Sequence, residues 1–156
     1  MLTQEQQATN AVTQEHIHTV QKYMLACVQQ LIERAHKHDR SKLESPEVET
    51  FTEMTPKLAA CTYGSPEYQG FLAQMKPALD HHYGHNRHHP EHFAEGVNEM
   101  NLLDLIEMFC DWKAATERHN DGNIRKSIEK NADRFGMSPQ LCQILDNTIE
   151  VLEAAR

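Results

Sequence analysis

Residues 13–43 read TQEHIHTVQKYMLACVQQLIERAHKHDRSKL, and this stretch decides the fold. Ile17, Val20, Met24, Val28, Leu31 and Ala35 recur at steps of three and four, the spacing of one helix face. Thr13 stands just before them, with Glu15 in the first turn. A hydroxyl cap and an early negative charge both favour a helix start there. The pattern predicts a helix over about residues 13–35, ended or bent by residues 36–43. Residues 1–12, largely polar, are expected to be a frayed, flexible N-terminus.

Downstream, the same two signals recur. Ser45-Pro46-Glu47 and Ser65-Pro66-Glu67 each place a capping serine before a proline at a first helical position. Pro56 is expected to break the first of these segments, and Pro77 to kink or shorten the second. The second carries Tyr68, Phe71 or Leu72, Met75, Leu79 and His82 on one face. Residues 84–89 read as a loop, and Pro90 opens a short turn through Phe93. Asn98 or Asn101 starts a strongly apolar helix over about residues 102–118. Asn120-Asp121-Gly122 is a turn signal. Two helices follow, over about 124–135 and 139–152, with Gly136 as the stop between them and Ser138 as a cap. No alternating strand pattern survives. The C-terminal pair carries little unusual chemistry and is expected to complete the core. The fold predicted is all-α, a single-domain helical bundle over residues 13–156.

The length of 156 residues suffices to bury a core without disulfides or structural metal. A net charge of -8 argues against general nucleic-acid binding, which needs a basic surface, and against adsorption to anionic membranes. Cys27, Cys61, Cys110 and Cys142 lie far apart and form no C-x-x-C pair, so they are expected to be buried thiols in a reducing cytoplasm. No signal peptide or membrane-spanning stretch is visible, and the chain reads as cytoplasmic.

Eleven histidines are the unusual figure, and they cluster. His38-Asp39-Arg40-Ser41-Lys42 sets an imidazole beside a carboxylate, donors suited to Mn, Fe, Co or Zn. On the preceding helix, His16 falls roughly 70° from the centre of the apolar arc and His18 about 130° from it. His16 is therefore expected to point inward and His18 to face water. A second group is His81-His82-Tyr83-Gly84-His85-Asn86-Arg87-His88-His89. His82 continues the Leu72, Met75, Leu79 stripe, so it is favoured over His81. His88 and His89 precede Pro90 and are presented by a loop, Asn86 is placed to orient an imidazole, and His81, His85 and His92 read as surface residues. A third group, Asp104, Glu107 and Asp111, shares one stripe of the apolar helix. Periodicity alone reads that stripe as a solvated acidic face, whereas on an otherwise buried helix it would suit a metal-facing cleft.

His38-Asp39-x-Ser41-Lys42, with Cys110-Asp111-Trp112 on a later apolar helix, resembles the HD-domain superfamily of metal-dependent phosphohydrolases. More closely, the chain is similar to an uncharacterised family of small bacterial and phage proteins. That likeness rests on His16-Ile17-x-x-Val20, His38-Asp39-x-Ser41-Lys42, His82-x-x-x-Asn86-x-His88-His89 and Glu107-Met108-x-Cys110-Asp111-Trp112, over about residues 13–147. The resemblance implies an HD-like bundle with one or two divalent transition metals. His16, His38, Asp39 and Asp111 would hold the first, and His82 with His88 or His89 the second, bridged by Asp39. Lys42 and Arg118 would contact phosphate, with Arg40 and Arg87 as further candidates, and Glu107 belongs with the catalytic set. The function implied is hydrolysis of a nucleotide or other small phosphate ester through a metal-activated water. The alternatives are a non-catalytic metal- or phosphate-binding module and an HD-fold di-iron oxygenase. The oligomeric state is not written in the sequence.

Overall fold

The computed structural model describes residues 1–61, 65–118 and 122–154. Among them the chain forms six α-helices and no strand, the all-α class that the periodicity predicts. They are α1 (Gln4–Lys37), α2 (Glu47–Ala60), α3 (Pro66–His85), α4 (Leu102–Thr116), α5 (Ile124–Phe135) and α6 (Pro139–Glu153). The chain divides into two compact units, Met1–Lys37 and His38–Arg156. None of the described helices is long and apolar enough to cross a membrane.

The first unit is α1. It begins nine residues earlier than Thr13, so residues 4–12 are helical rather than frayed. Thr3 and Gln6 explain this. The Gln6 amide donates to Thr3 Oγ1 at 3.2 Å, and the Thr3 amide donates to Gln6 Oε1 at 2.9 Å. That reciprocal capping box satisfies two free helix-end donors. α1 buries no residue, and His16 is exposed like His18, which is 3.1 Å from Gln14.

The second unit holds the core and the clustered histidines His38, His81, His82, His85, His88, His89 and His92. Phe109 of α4, Ile124 and Ile128 of α5, and Leu145 and Ile149 of α6 form one buried cluster, with Trp112, Leu141 and Leu152 packed against it. Asn101 caps α4 with a full capping box through Asp104, and Ser138 caps α6. Gly136 takes the left-handed conformation that ends α5, at φ 60°. The turn read at Asn120-Asp121-Gly122 lies mostly outside the described residues.

α2 packs on α3, and Met54, Met75 and Ala78 are buried. Neither internal proline stops its helix. α2 runs through Pro56, and α3 runs through Pro77 for 20 residues. Packing against a neighbouring helix outweighs the one backbone hydrogen bond each proline removes. Pro46 precedes α2 rather than opening it, and no side chain caps that end. α3 also reaches His85, so the loop begins at Asn86 rather than Gly84. The cysteines are free but not buried: Cys27 and Cys110 are exposed, and Cys61 and Cys142 half-buried.

Candidate metal centre

Three segments of the second unit bring the site together. The first is the turn that follows α1. Asp39 has φ 56° and ψ 13°, the left-handed region that Asp and Asn tolerate better than other side-chain-bearing residues. A 3-10 turn, Arg40–Leu43, follows, closed by the Lys42 amide on the Asp39 carbonyl at 3.0 Å. The reversal lets neighbours His38 and Asp39 turn their side chains to one place. The second segment is the end of α3, where His82 extends the Met75, Ala78 buried stripe, and the loop after it. The third is the acidic stripe of α4.

Asp39 Oδ1 lies 3.3 Å from His82 Nε2 and 3.4 Å from His88 Nε2. His82 Nε2 lies 2.9 Å from His89 Nε2. These four residues each present one ligand atom, all within 4.8 Å of one another. A second group shares Asp39. His38 Nε2 is 3.6 Å from Asp39 Oδ2 and 3.7 Å from Asp111 Oδ1. Both His88 and His89 therefore present a nitrogen to the Asp39 group. His82 and His88 are 1% exposed, whereas His38 is 29% and Asp111 21% exposed, so the first group is the deeper one and the second opens to solvent.

The far sides of His38, His82 and His88 are anchored. Glu107 Oε1 accepts from His38 Nδ1 at 3.1 Å and from His88 Nδ1 at 3.2 Å. Glu47 Oε2 accepts from His82 Nδ1 at 2.9 Å, and Glu47 Oε1 from His81 Nδ1 at 2.7 Å. Each carboxylate faces an Nδ1, so the Nε2 atoms of His38, His82 and His88 turn toward Asp39, the arrangement usual behind metal-bound histidines. Ser41 donates to Glu47 at 3.0 Å, and Asn86 donates to Ser41 Oγ at 2.9 Å and to the His82 carbonyl at 2.8 Å. Asn86 Nδ2 also lies 3.0 Å from His82 Nδ1, so Asn86 braces that imidazole as well as the carboxylate network and the backbone.

Within this network two buried atoms, Asp39 Oδ1 and His88 Nε2, have no hydrogen bond at all. An unsatisfied buried polar group costs about 1–3 kcal/mol. Two such atoms face each other 3.4 Å apart, one anionic oxygen and one imidazole nitrogen. Donors of this kind fit a divalent ion of the Mn, Fe, Co or Zn class.

The charges agree with that use. Burial alone would raise the Asp39 carboxyl, but His82, His88 and Lys42 hold it well below the usual carboxylate range. Hydrogen bonds that His38 donates to Asp111 and then to Glu107 lift it to about 10. Burial, with the positive charge of His88 and His82 beside it, drops His89 to about 3, so it stays a neutral donor. The sign for metal uptake follows. His38 holds a proton from its ordinary range near 6.5 up to about 10, and a metal takes only the neutral ring. Metal uptake at pH 8 should release a proton from His38. Calorimetry in two buffers of different ionisation enthalpy measures it, and identical apparent enthalpies would show that none leaves.

Among the other sequence candidates, Lys42 stands at the cluster, its Nζ 2.6 Å from Asp39 Oδ2 and its side chain 32% exposed. Arg118 is exposed beyond the end of α4, and Arg40 is exposed on its 3-10 turn. Arg87 makes a two-pronged bond to the fully buried Asp104, at 3.0 and 3.2 Å. The acidic stripe of α4 is therefore not solvated. Asp104, Glu107 and Asp111 face inward, while Leu102 and Ile106 are exposed. Glu107 acts as an anchor for two rings. His81 and His92 are half-buried, and His92 Nδ1 meets the Tyr83 carbonyl at 2.8 Å. Only His85 of that trio is a surface residue, stacked on His81.

Glu47 is the residue that sequence reasoning missed. It is 0% exposed, and it was legible only as the acid of a helix-start signal. Glu47→Gln keeps the shape but weakens acceptance from both rings. It should lower metal affinity about 10–100-fold with helix content intact. Competition against a chelator measures this, and unchanged affinity would reduce Glu47 to packing.

Residues 5–151 match a family of unknown function, DUF5662. No curated protein and no solved structure matches the chain.

Proposed function

The chain belongs to the DUF5662 family, whose function is unknown, and we propose from the site's own chemistry that it is a metal-dependent phosphohydrolase. Its motifs resemble the HD-domain type, and its substrate is a nucleotide or another small phosphate ester. The observation that carries this reading is the pair of unpartnered buried atoms, Asp39 Oδ1 and His88 Nε2, inside a ring of oriented imidazoles.

Asp39, His82, His88 and His89 would hold one ion, and His38, Asp39 and Asp111 a second. His16 remains a proposed ligand on the strength of the resemblance alone, since it lies exposed on α1. Such ions lower the pKa of a water to near neutrality and offset charge on an attacked phosphoryl group. The chain's own residues set the conditions. Glu47 and Glu107 fix the ring orientations. Lys42 keeps Asp39 ionised. Asp111 and His89 reach the edge of a cleft where a substrate can lie. Tyr83 lines the same cleft, and burial raises its phenol above its ordinary value, so it stays protonated and able to donate to a leaving oxygen.

The same imidazole-rich donors also suit iron, which keeps the HD-fold di-iron oxygenase as the second reading. One assay separates the two. Metal-loaded protein is screened for phosphate release from nucleoside mono- and triphosphates, cyclic nucleotides and an aryl phosphate diester, with oxygen uptake followed in parallel. Phosphate release supports the hydrolase. Oxygen uptake by the iron form without phosphate release replaces it. Retention of a phosphate ligand with neither activity leaves a binding module.

A further inference from the structure

Beside the histidine cluster, within the second unit, lies a cleft of about 610 Å³. That is the size range of small-molecule sites. His89 and Asp111 of the cluster line it, so it opens onto the candidate metal centre. α5 lines it too, through Lys126, Lys130 and Arg134. These stand at i, i+4 and i+8, on one helix face, and span about 12 Å along the axis.

The two ends of the row differ. Arg134 meets Glu91 at 2.5 Å, and Glu91 follows His89 and Pro90 directly, so this is the end beside the cluster. Lys126 lies two turns away, near the start of α5, and among the described residues it forms no ion pair. Trp112 and Phe135 also line the cleft and stack, with centroids 6.2 Å apart and planes 9° from parallel. They give it a flat apolar wall. The chain as a whole carries a net charge of -8, whereas Lys126, Lys130 and Arg134 outnumber the Glu91 and Asp111 carboxylates that line the same cleft, so its lining carries a local positive surplus.

A single phosphoryl group at His89 and Asp111 cannot also reach a cation about 12 Å along the helix. We infer that the substrate carries a second anionic group at its far end. Its reacting phosphoryl group lies at the His89–Asp111 end, its organic body runs along the Trp112 wall, and Lys126 holds the second anion. This rests on the phosphohydrolase reading and narrows its substrate class to organic phosphates with a second phosphoryl or carboxylate group.

Two matched pairs of probes test it. Adenosine 3′,5′-bisphosphate is compared with adenosine 5′-monophosphate, and 4-carboxyphenyl phosphate with phenyl phosphate. Binding to the manganese-loaded protein is measured by calorimetry, and turnover separately, for wild type, Lys126→Ala and Lys126→Glu. Lys126 is exposed, so both variants should fold. A charge-assisted contact of this kind is worth roughly tenfold or more in affinity. In wild type, at least one pair should therefore favour its doubly anionic member by about tenfold. In Lys126→Ala that ratio should fall to about one, and in Lys126→Glu it should invert. Whichever pair shows the preference identifies the second anion as phosphoryl or carboxylate. Preference in binding without turnover of any probe upholds the second-anion site and overturns the hydrolase reading. Turnover without preference in either pair, or a preference that survives both substitutions, overturns the second-anion site and leaves the hydrolase reading standing.

Discussion

Asp39→Asn should empty the site while leaving the helices in place. Asp39 alone contributes to both groups of donors, Oδ1 beside His82 and His88, and Oδ2 beside His38. It is also the only carboxylate in the deeper group, whose other members are three imidazoles. Replacing the anionic oxygen by an amide removes the charge that opposes a divalent ion. It also leaves Lys42, now 2.6 Å from a neutral side chain, as an uncompensated cation at the same place. Asparagine is the right substitute because Asp39 sits at φ 56°. Alanine there would add about 1–2 kcal/mol of backbone strain and confuse loss of ligand with loss of fold. Elemental analysis of protein purified without chelator or nickel resin should show below about 0.1 metal ion per chain, against one or two for wild type, at unchanged far-ultraviolet circular dichroism. Equal stoichiometry in the two proteins would sink the assignment of the centre.

Much of this centre was legible in the sequence, and the physical reason is periodicity. The apolar stripe favours His82 over His81, and the structure buries His82 while leaving His81 half out. His38 with Asp39, and His88 with His89, were marked by adjacent ligand types. Periodicity failed on α4. Its apolar and acidic residues each cover a broad face, and hydrophobic spacing alone cannot say which face turns inward. The buried salt bridge of Arg87 to Asp104 and the ring bonds of Glu107 reverse the expected orientation, so Leu102 and Ile106 end outside. Those bonds join residues 17 to 69 positions apart, beyond any local pattern. Glu47 was hidden for the same reason, since its partners His81 and His82 are 34 and 35 residues away. The cation row of α5 was local and readable, but without the fold nothing placed it beside His89 and Asp111.

Turnover should require a transition metal and should not run on Mg²⁺ alone. The donors of the deeper group are three imidazole nitrogens and one carboxylate oxygen. Mg²⁺ prefers oxygen ligands and sheds its waters reluctantly, whereas Mn²⁺, Fe²⁺, Co²⁺ and Zn²⁺ accept nitrogen readily. The surroundings reinforce the difference, because His82 and His88 are almost fully enclosed and leave little room for a retained water shell. Glu47 and Glu107 also hold the rings with Nε2 inward, so the nitrogens cannot swing aside to make way for oxygen donors. Stripped protein given saturating Mg²⁺ should therefore hydrolyse phosphate esters at least about 10³-fold more slowly than the Mn²⁺ or Fe²⁺ form, since activating a water and clamping the phosphoryl group supply several kcal/mol of barrier lowering. His88→Ala should reproduce the Mg²⁺ rate even when Mn²⁺ is present, because it removes a buried nitrogen that has no hydrogen-bond partner and would ligate the ion. Full activity with Mg²⁺ would mean an oxygen-based site elsewhere, with the histidines serving structure. No product from any ester with any of the metals would place the binding-module reading above the hydrolase.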